Sequence, residues 1–123
     1  MNKPLLHEVV VAMLEGQTFG CVNEYDLQDA VAQLLGAAHN VEREARLSST
    51  DRIDFLVKHH EGTVGVEIKV GGSRAEVLRQ LARYADYEGI SSLILVTNKS
   101  RHRAMPKALR GKPLFVVYVG GVS

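Results

Sequence analysis

Three short extended segments are crowded into about thirty residues, and their spacing limits what the chain can fold into. Residues 41–47 (VEREARL) alternate apolar with charged at period two. Residues 52–57 (RIDFLV) and 64–70 (VGVEIKV) are rich in Val, Ile, Leu and Phe. Only Ser48-Ser49-Thr50 and a turn around Glu61-Gly62-Thr63 break the run. Parallel neighbours need a crossover of a dozen or more residues, so connections this short predict an antiparallel meander.

Helices and further strands flank the meander. Residues 4–15 place Leu5, Leu6, Val9, Val10, Met13 and Leu14 at helical spacing, with Gly16 as a stop. Asn23 reads as an N-cap, with Glu24 and Asp26 in the first turn, where acids suit the helix dipole. Leu27, Val31, Leu34 and Leu35 form that helix's apolar stripe, and Gly36 ends it. Past the meander, Gly71-Gly72 breaks the strand and Ser73 caps a helix over 74–87, whose apolar face carries Val77, Leu78, Leu81 and Tyr84. Residues 92–97 read as a strand buried on both sides, 98–112 as a basic loop with a short helix around 106–109, and 114–119 as a final strand. The expected fold is α/β, two helices flanking a mixed sheet. With 123 residues and no repeat or linker, the expectation is one domain, 1–123, with its core in 24–97.

Composition narrows the class. No apolar run approaches the ~20 residues of a membrane span, and the N-terminal stretch, with His7, Glu8 and Glu15, does not read as a signal peptide. A single cysteine, Cys21, makes no internal disulfide, so a cytoplasmic protein is the simplest expectation. The net charge of +1 hides an asymmetry: residues 1–97 hold 9 Lys+Arg against 14 Asp+Glu, whereas 98–123 hold 6 and no acid. That points to a polyanionic partner for the basic part, or to a solvated basic face.

Chemistry enters through the charges inside the apolar strands. Asp54 interrupts the second strand, and Glu67 and Lys69, two apart on the third, project from one face. The hairpin can set Asp54 across from that pair. Two converging carboxylates raise each other's pKa unless positive charge lies between them. Lys69 supplies one charge, and Mg²⁺ or Mn²⁺ on carboxylate oxygens and the Ile68 carbonyl supplies the rest. The competing interpretation is a surface strand carrying plain ion pairs.

With Asp54 followed by Glu67-Ile68-Lys69, between a helix that starts at Glu24 and one that carries Gln80, the chain resembles the PD-(D/E)xK, or restriction-endonuclease-like, nuclease superfamily. That superfamily's core is helix, three-strand meander, helix, strand, and the order recurs here over 24–97, with an added N-terminal helix and C-terminal strand. Ile53 stands where the motif has its variable Pro. The Glu, Asp and E-x-K arrangement on a short chain is similar to archaeal Holliday-junction resolvases and small phage or bacterial nucleases. The resemblance implies a metal-dependent DNA endonuclease, or a branched-DNA resolvase of the same fold. It also allows a non-cleaving nucleic-acid-binding module. It implies that Asp54, Glu67, Ile68 and Glu24 hold the metal, that Lys69 orients the attacking water or stabilises the transition state, and that Gln80 orients Lys69 or touches the substrate backbone. Lys99, Arg101, Arg103, Lys107 and Arg110 would grip phosphates, and a domain this small suggests a homodimer.

Other residues carry weaker signals. His59-His60 sit in a turn with no partner at zinc spacing and read as solvated. Cys21 reads as a buried small hydrophobe. Gly71-Gly72-Ser73 reads as a phosphate contact or a plain helix start. Glu44 reads as a further ligand or as water-facing, and Tyr84 and Tyr87 as packing residues.

Overall fold

The structure, a computed structural model, describes residues 4–17, 19–20 and 23–119, so Cys21 lies outside the described residues. The elements run α1 (Leu6–Glu15), α2 (Glu24–Gly36), β1 (Asn40–Arg46), β2 (Arg52–His59), β3 (Gly62–Lys69), α3 (Arg74–Ala85), β4 (Ser92–Thr97), a 3-10 turn (Ser100–His102), β5 (Ala108–Leu109) and β6 (Lys112–Tyr118). The strands form one mixed sheet in the order β1-β2-β3-β4-β6-β5. β1, β2 and β3 are the antiparallel meander, and β3, β4 and β6 run parallel. The order helix, meander, helix, strand is thus present, with a helix added before it and strands after it. No helix among the described residues is long and apolar enough to cross a membrane.

The helix signals act as read. The Asn23 side chain accepts the Asp26 amide at 2.8 Å. Ser73 Oγ accepts the Glu76 amide at 3.1 Å, while Glu76 Oε1 accepts the Ser73 amide at 3.4 Å, a reciprocal box that opens α3.

The sheet is covered on both faces. Val10, Leu14, Leu27, Val31 and Leu35 of α1 and α2 pack with Val64, Val66, Ile68, Ile94 and Val96 on one side. Val77, Leu81 and Tyr84 of α3 pack with Leu93, Leu95 and Leu114 on the other. Each fully buried aliphatic chain contributes ~1.5–3 kcal/mol. β4 therefore sends alternate residues into two cores, which is why it reads as one unbroken apolar run.

The strict alternation fails at one place. Ile53 belongs to the α3-side core and Phe55 to the opposite one, although residues two apart on a strand normally share a face. β1 makes the same change: Val41 packs with the α2 side and Ala45 with the α3 side. Glu44, between them, has φ of 51°, the left-handed region that costs a non-glycine residue roughly 1–2 kcal/mol. The crossover falls on Asp54, which lies half-buried at the seam between the faces.

The expected helix around 106–109 is not there. Ala108 and Leu109 pair with Pro113 and Lys112 in a hairpin. Its loop is Arg110-Gly111, both with positive φ (52° and 77°), the geometry of a two-residue turn whose twist matches the strands. Gly111, just before the apolar run 114–117, was a turn signal, and Pro106 discourages helix before it.

Candidate active site

The ladder between β2 and β3 pairs Phe55 with Val66 and then gives way to side chains. The Asp54 amide donates to Glu67 Oε1 at 3.0 Å, and the Ile68 amide donates to Asp54 Oδ2 at 2.8 Å. Two main-chain donors that a sheet would give to carbonyls are given to carboxylates instead. The hairpin brings Asp54 to Glu67 and Ile68, as their spacing predicts.

Neighbouring elements complete the group. Glu24, the first residue of α2, accepts the Val70 amide at 3.4 Å through Oε1. Gln28 Nε2 donates to Asp54 Oδ1 at 3.4 Å. Lys69 Nζ lies 3.4 Å from Glu67 Oε2. The Tyr84 hydroxyl, from α3, lies 2.8 Å from the Arg52 carbonyl and 3.3 Å from Glu67 Oε2, and it accepts Gln80 Nε2 at 2.7 Å. Gln80 is therefore tied to Tyr84 and reaches Glu67 through it, and it lines a cavity with Lys69; the reading from sequence had it orient Lys69 or touch the substrate backbone.

Burial is the largest influence on these carboxyls. Glu67 is 3% exposed. Desolvation, then the charge of Asp54, pushes its carboxyl up to about 8 against the pull of the Asp54 amide and Lys69. Asp54 is raised too, first by burial, with the Ile68 amide opposing. Tyr84 is raised by burial and by the Glu67 charge. A buried and a half-buried carboxylate lifted together form a site short of positive charge, and the one ammonium beside them does not make up the deficit. Their oxygen donors suit a hard divalent cation such as Mg²⁺ or Mn²⁺. The residues fit the metal that the resemblance implies.

A cavity of about 570 Å³ opens beside this cluster, lined by Glu24, Lys69, Gln80, Arg79 and Arg83 among others. Asp54 and Glu67 are not in its lining, but Lys69, in contact with Glu67, is. Gly71 and Gly72 form part of the wall. Ser73 acts as a helix cap, and the Gly71 and Gly72 carbonyls are held by His102 Nε2 at 3.0 Å and Arg101 Nε at 2.9 Å.

The five cations expected to grip phosphates do not gather into one patch. Arg101 is brought to the cavity wall at Gly72. Arg103 lies over the Tyr118 ring at 4.5 Å, and Lys107 is exposed in the loop before β5. Lys99 is half-buried. Arg110 pairs with Asp86 at 3.1 Å, just past the C-terminal end of α3 and so about 18 Å along that helix from Gly72. The basic stretch runs along α3 from its start to its end, because the 3-10 turn and β5 both pack on that helix. Glu44 is exposed, with its carboxylate 4.0 Å from Arg52, and its backbone stands across the β1–β2 ladder from Asp54.

Sequence reading missed Gln28 and the polar role of Tyr84. Both had a signal in helical spacing: Gln28 is four residues after Glu24 and Tyr84 four after Gln80, so each shares a face with a residue already singled out.

No protein-family model and no curated protein matches this chain. Among solved structures, the small subunit (R.BspD6I2) of the heterodimeric restriction endonuclease R.BspD6I is similar in outline, with 13% identity and a TM-score of 0.46 over 92% of this chain and 72% of that one.

Proposed function

We propose that this chain is a divalent-metal-dependent endonuclease that hydrolyses DNA phosphodiester bonds. The observation that supports it is the break in the β2–β3 ladder, where Asp54 and Glu67 meet with raised pKa values beside Lys69 and Glu24. When Mg²⁺ or Mn²⁺ is bound by Asp54, Glu67, Glu24 and the Ile68 carbonyl, it supplies a lowered pKa for bound water and neutralises charge on the phosphate. Lys69 reaches the cavity from the same strand as Glu67. It orients the attacking water or meets the charge that develops on the phosphorus oxygens. Tyr84 and Gln28 are positioning residues that hold the Glu67 and Asp54 carboxyls in place. Gln80 anchors the Tyr84 hydroxyl. Arg79, Arg83 and Arg101 place positive charge around the mouth, which attracts phosphates without reading sequence. In a homodimer, two such sites would face two strands.

The test is a panel of labelled linear duplex, flap, single-stranded and four-way-junction DNA incubated with Mg²⁺, Mn²⁺, Ca²⁺ or EDTA. Cleavage of at least one substrate with Mg²⁺ or Mn²⁺, abolished by EDTA and by Asp54→Asn, is expected. Ca²⁺ should support binding without cutting. No cleavage of any substrate, or cleavage indifferent to EDTA and to Asp54→Asn, would overturn the proposal. A preference confined to the junction would define the enzyme as a resolvase.

A further inference from the structure

The opposite end of the β2–β3 hairpin carries a second group of metal-ligating side chains. His59, His60 and Glu61 each present a donor atom, all within 4.8 Å of one another. The two imidazole rings are 4.0 Å apart, and His60 Nε2 lies 3.5 Å from Glu61 Oε1. By sequence spacing this was a solvated turn without a partner. The sheet supplies the partner. β1 pairs with β2 at Asn40 and Lys58, so one step further along the register sets His39 across from His59. His39 lines the same cavity of about 180 Å³ as His59, His60 and Glu61. Its Nε2 is buried and has no hydrogen-bond partner.

We propose a transition-metal site here, with His59, His60 and Glu61 as ligands and His39 as the fourth donor, taking Zn²⁺ in preference to Mg²⁺. Imidazole donors suit Zn²⁺, Ni²⁺ or Cu²⁺, whereas the carboxylate cluster offers only hard oxygen. On a tetrahedral ion with bonds of ~2.0–2.1 Å, donors stand about 3.3 Å apart. The His59, His60 and Glu61 donors must therefore close by up to about 1.5 Å, which these exposed side chains achieve by rotation, and the half-buried His39 ring, outside that group, must turn toward them. The His59 Nδ1 lone pair now accepts the Glu61 amide at 3.1 Å. In that tautomer Nε2 carries the proton, so Nδ1 is the atom that binds, and the exposed Glu61 amide passes to water. Five steps along β2 separate His59 from Asp54, about 17 Å at the rise of a strand. The two sites are independent, and a bound ion would clamp the hairpin tip to the start of β1.

The experiment is calorimetric titration of tag-free full-length protein with Zn²⁺ in excess Mg²⁺, on wild type, His59→Ala, His60→Ala, His39→Ala and Asp54→Asn. One Zn²⁺ per chain is expected in wild type and in Asp54→Asn. Each histidine variant should bind at least tenfold more weakly while keeping its circular dichroism spectrum, and Co²⁺ should show the visible bands of tetrahedral coordination in wild type and Asp54→Asn but not in the histidine variants. Absence of binding, binding unchanged in all three histidine variants, or loss of the ion in Asp54→Asn would each overturn the site. If the histidine variants lose their fold, the Co²⁺ spectrum of wild type decides: octahedral bands refute it.

Discussion

Glu67→Gln in metal-free protein should leave the fold unchanged in acid and stabilise it in alkali. Burial, with the Asp54 charge second, lifts the Glu67 carboxyl from the ordinary 4.5 to about 8. Between those values the folded chain keeps a proton that the unfolded chain has released, so stability falls as pH rises. Below about 4.5 both states hold the proton and the penalty is absent; above about 8 both have lost it and the penalty is complete. At about 1.4 kcal/mol for each tenfold change in proton affinity, the full effect is roughly 5 kcal/mol. Asp54 titrates in the same pocket and Lys69 lies 3.4 Å from Oε2, so local relaxation should bring the measured fall to roughly 2–4 kcal/mol. That is a large part of the ~5–15 kcal/mol that holds a domain together. Glutamine mimics the protonated acid and keeps an acceptor for the Asp54 amide, so its profile should flatten. Urea unfolding followed by circular dichroism in EDTA, at steps from about pH 5 to 9, measures both proteins. Wild-type stability that is constant or rising through this window would refute the reasoning, as would a variant curve parallel to wild type. Mg²⁺ at about a hundred times its dissociation constant should return ~2.7 kcal/mol to wild type at the alkaline end.

Lys69→Ala should lower cleavage by ~10²–10³ in single-turnover assays, with DNA affinity little changed. Arg101→Ala should reduce the slope of log K against log salt by roughly 0.9 on duplex DNA, while Arg110→Ala, whose partner is Asp86, should leave it unchanged; fluorescence anisotropy at several salt concentrations separates the two. Tyr84→Phe strips a buried hydroxyl from Gln80, the Arg52 carbonyl and Glu67, and should cost about 1–3 kcal/mol by urea unfolding. At Gly65 an added Cβ would stand 2.7 Å from Ile53 Cδ1 and 2.9 Å from Leu93 Cδ2, so Gly65→Ala should destabilise by about 1–3 kcal/mol, read as a lower thermal midpoint.

What the sequence made legible followed from periodicity. Helices α2 and α3 announce themselves because each buries residues at one spacing between a cap and a breaker, and strands β2, β3 and β4 because each is a short apolar run bounded by turn residues. The meeting of Asp54 with Glu67 was legible for the same reason, since a short antiparallel hairpin leaves little choice of register. The face change at Glu44 and Asp54 was not, because a left-handed glutamate looks in sequence like any other strand residue. Nor was the placing of His39 on the same cavity as His59 and His60, which depends on how far β1 extends along β2. The split of the basic stretch depends on the β5–β6 turn: read as helix, residues 106–109 would keep Arg110 near Arg101. Tyr84 was legible as a packing ring but not as a hydroxyl with three polar neighbours, because periodicity reports faces and says nothing of what a ring's tip meets.

The gap in the ladder between β2 and β3 also constrains how this protein can change over evolutionary time. The carboxylates of Asp54 and Glu67 that close the seam are the ones the proposed chemistry would use. An alanine at either position would remove a metal ligand and also leave a buried amide without an acceptor, so drift by that route is penalised twice. Asparagine or glutamine would forfeit the charge yet keep the sheet closed. Descendants of this chain that abandon catalysis should therefore carry amides at these two positions, and a lineage with apolar residues there should have rebuilt the strand pairing around them.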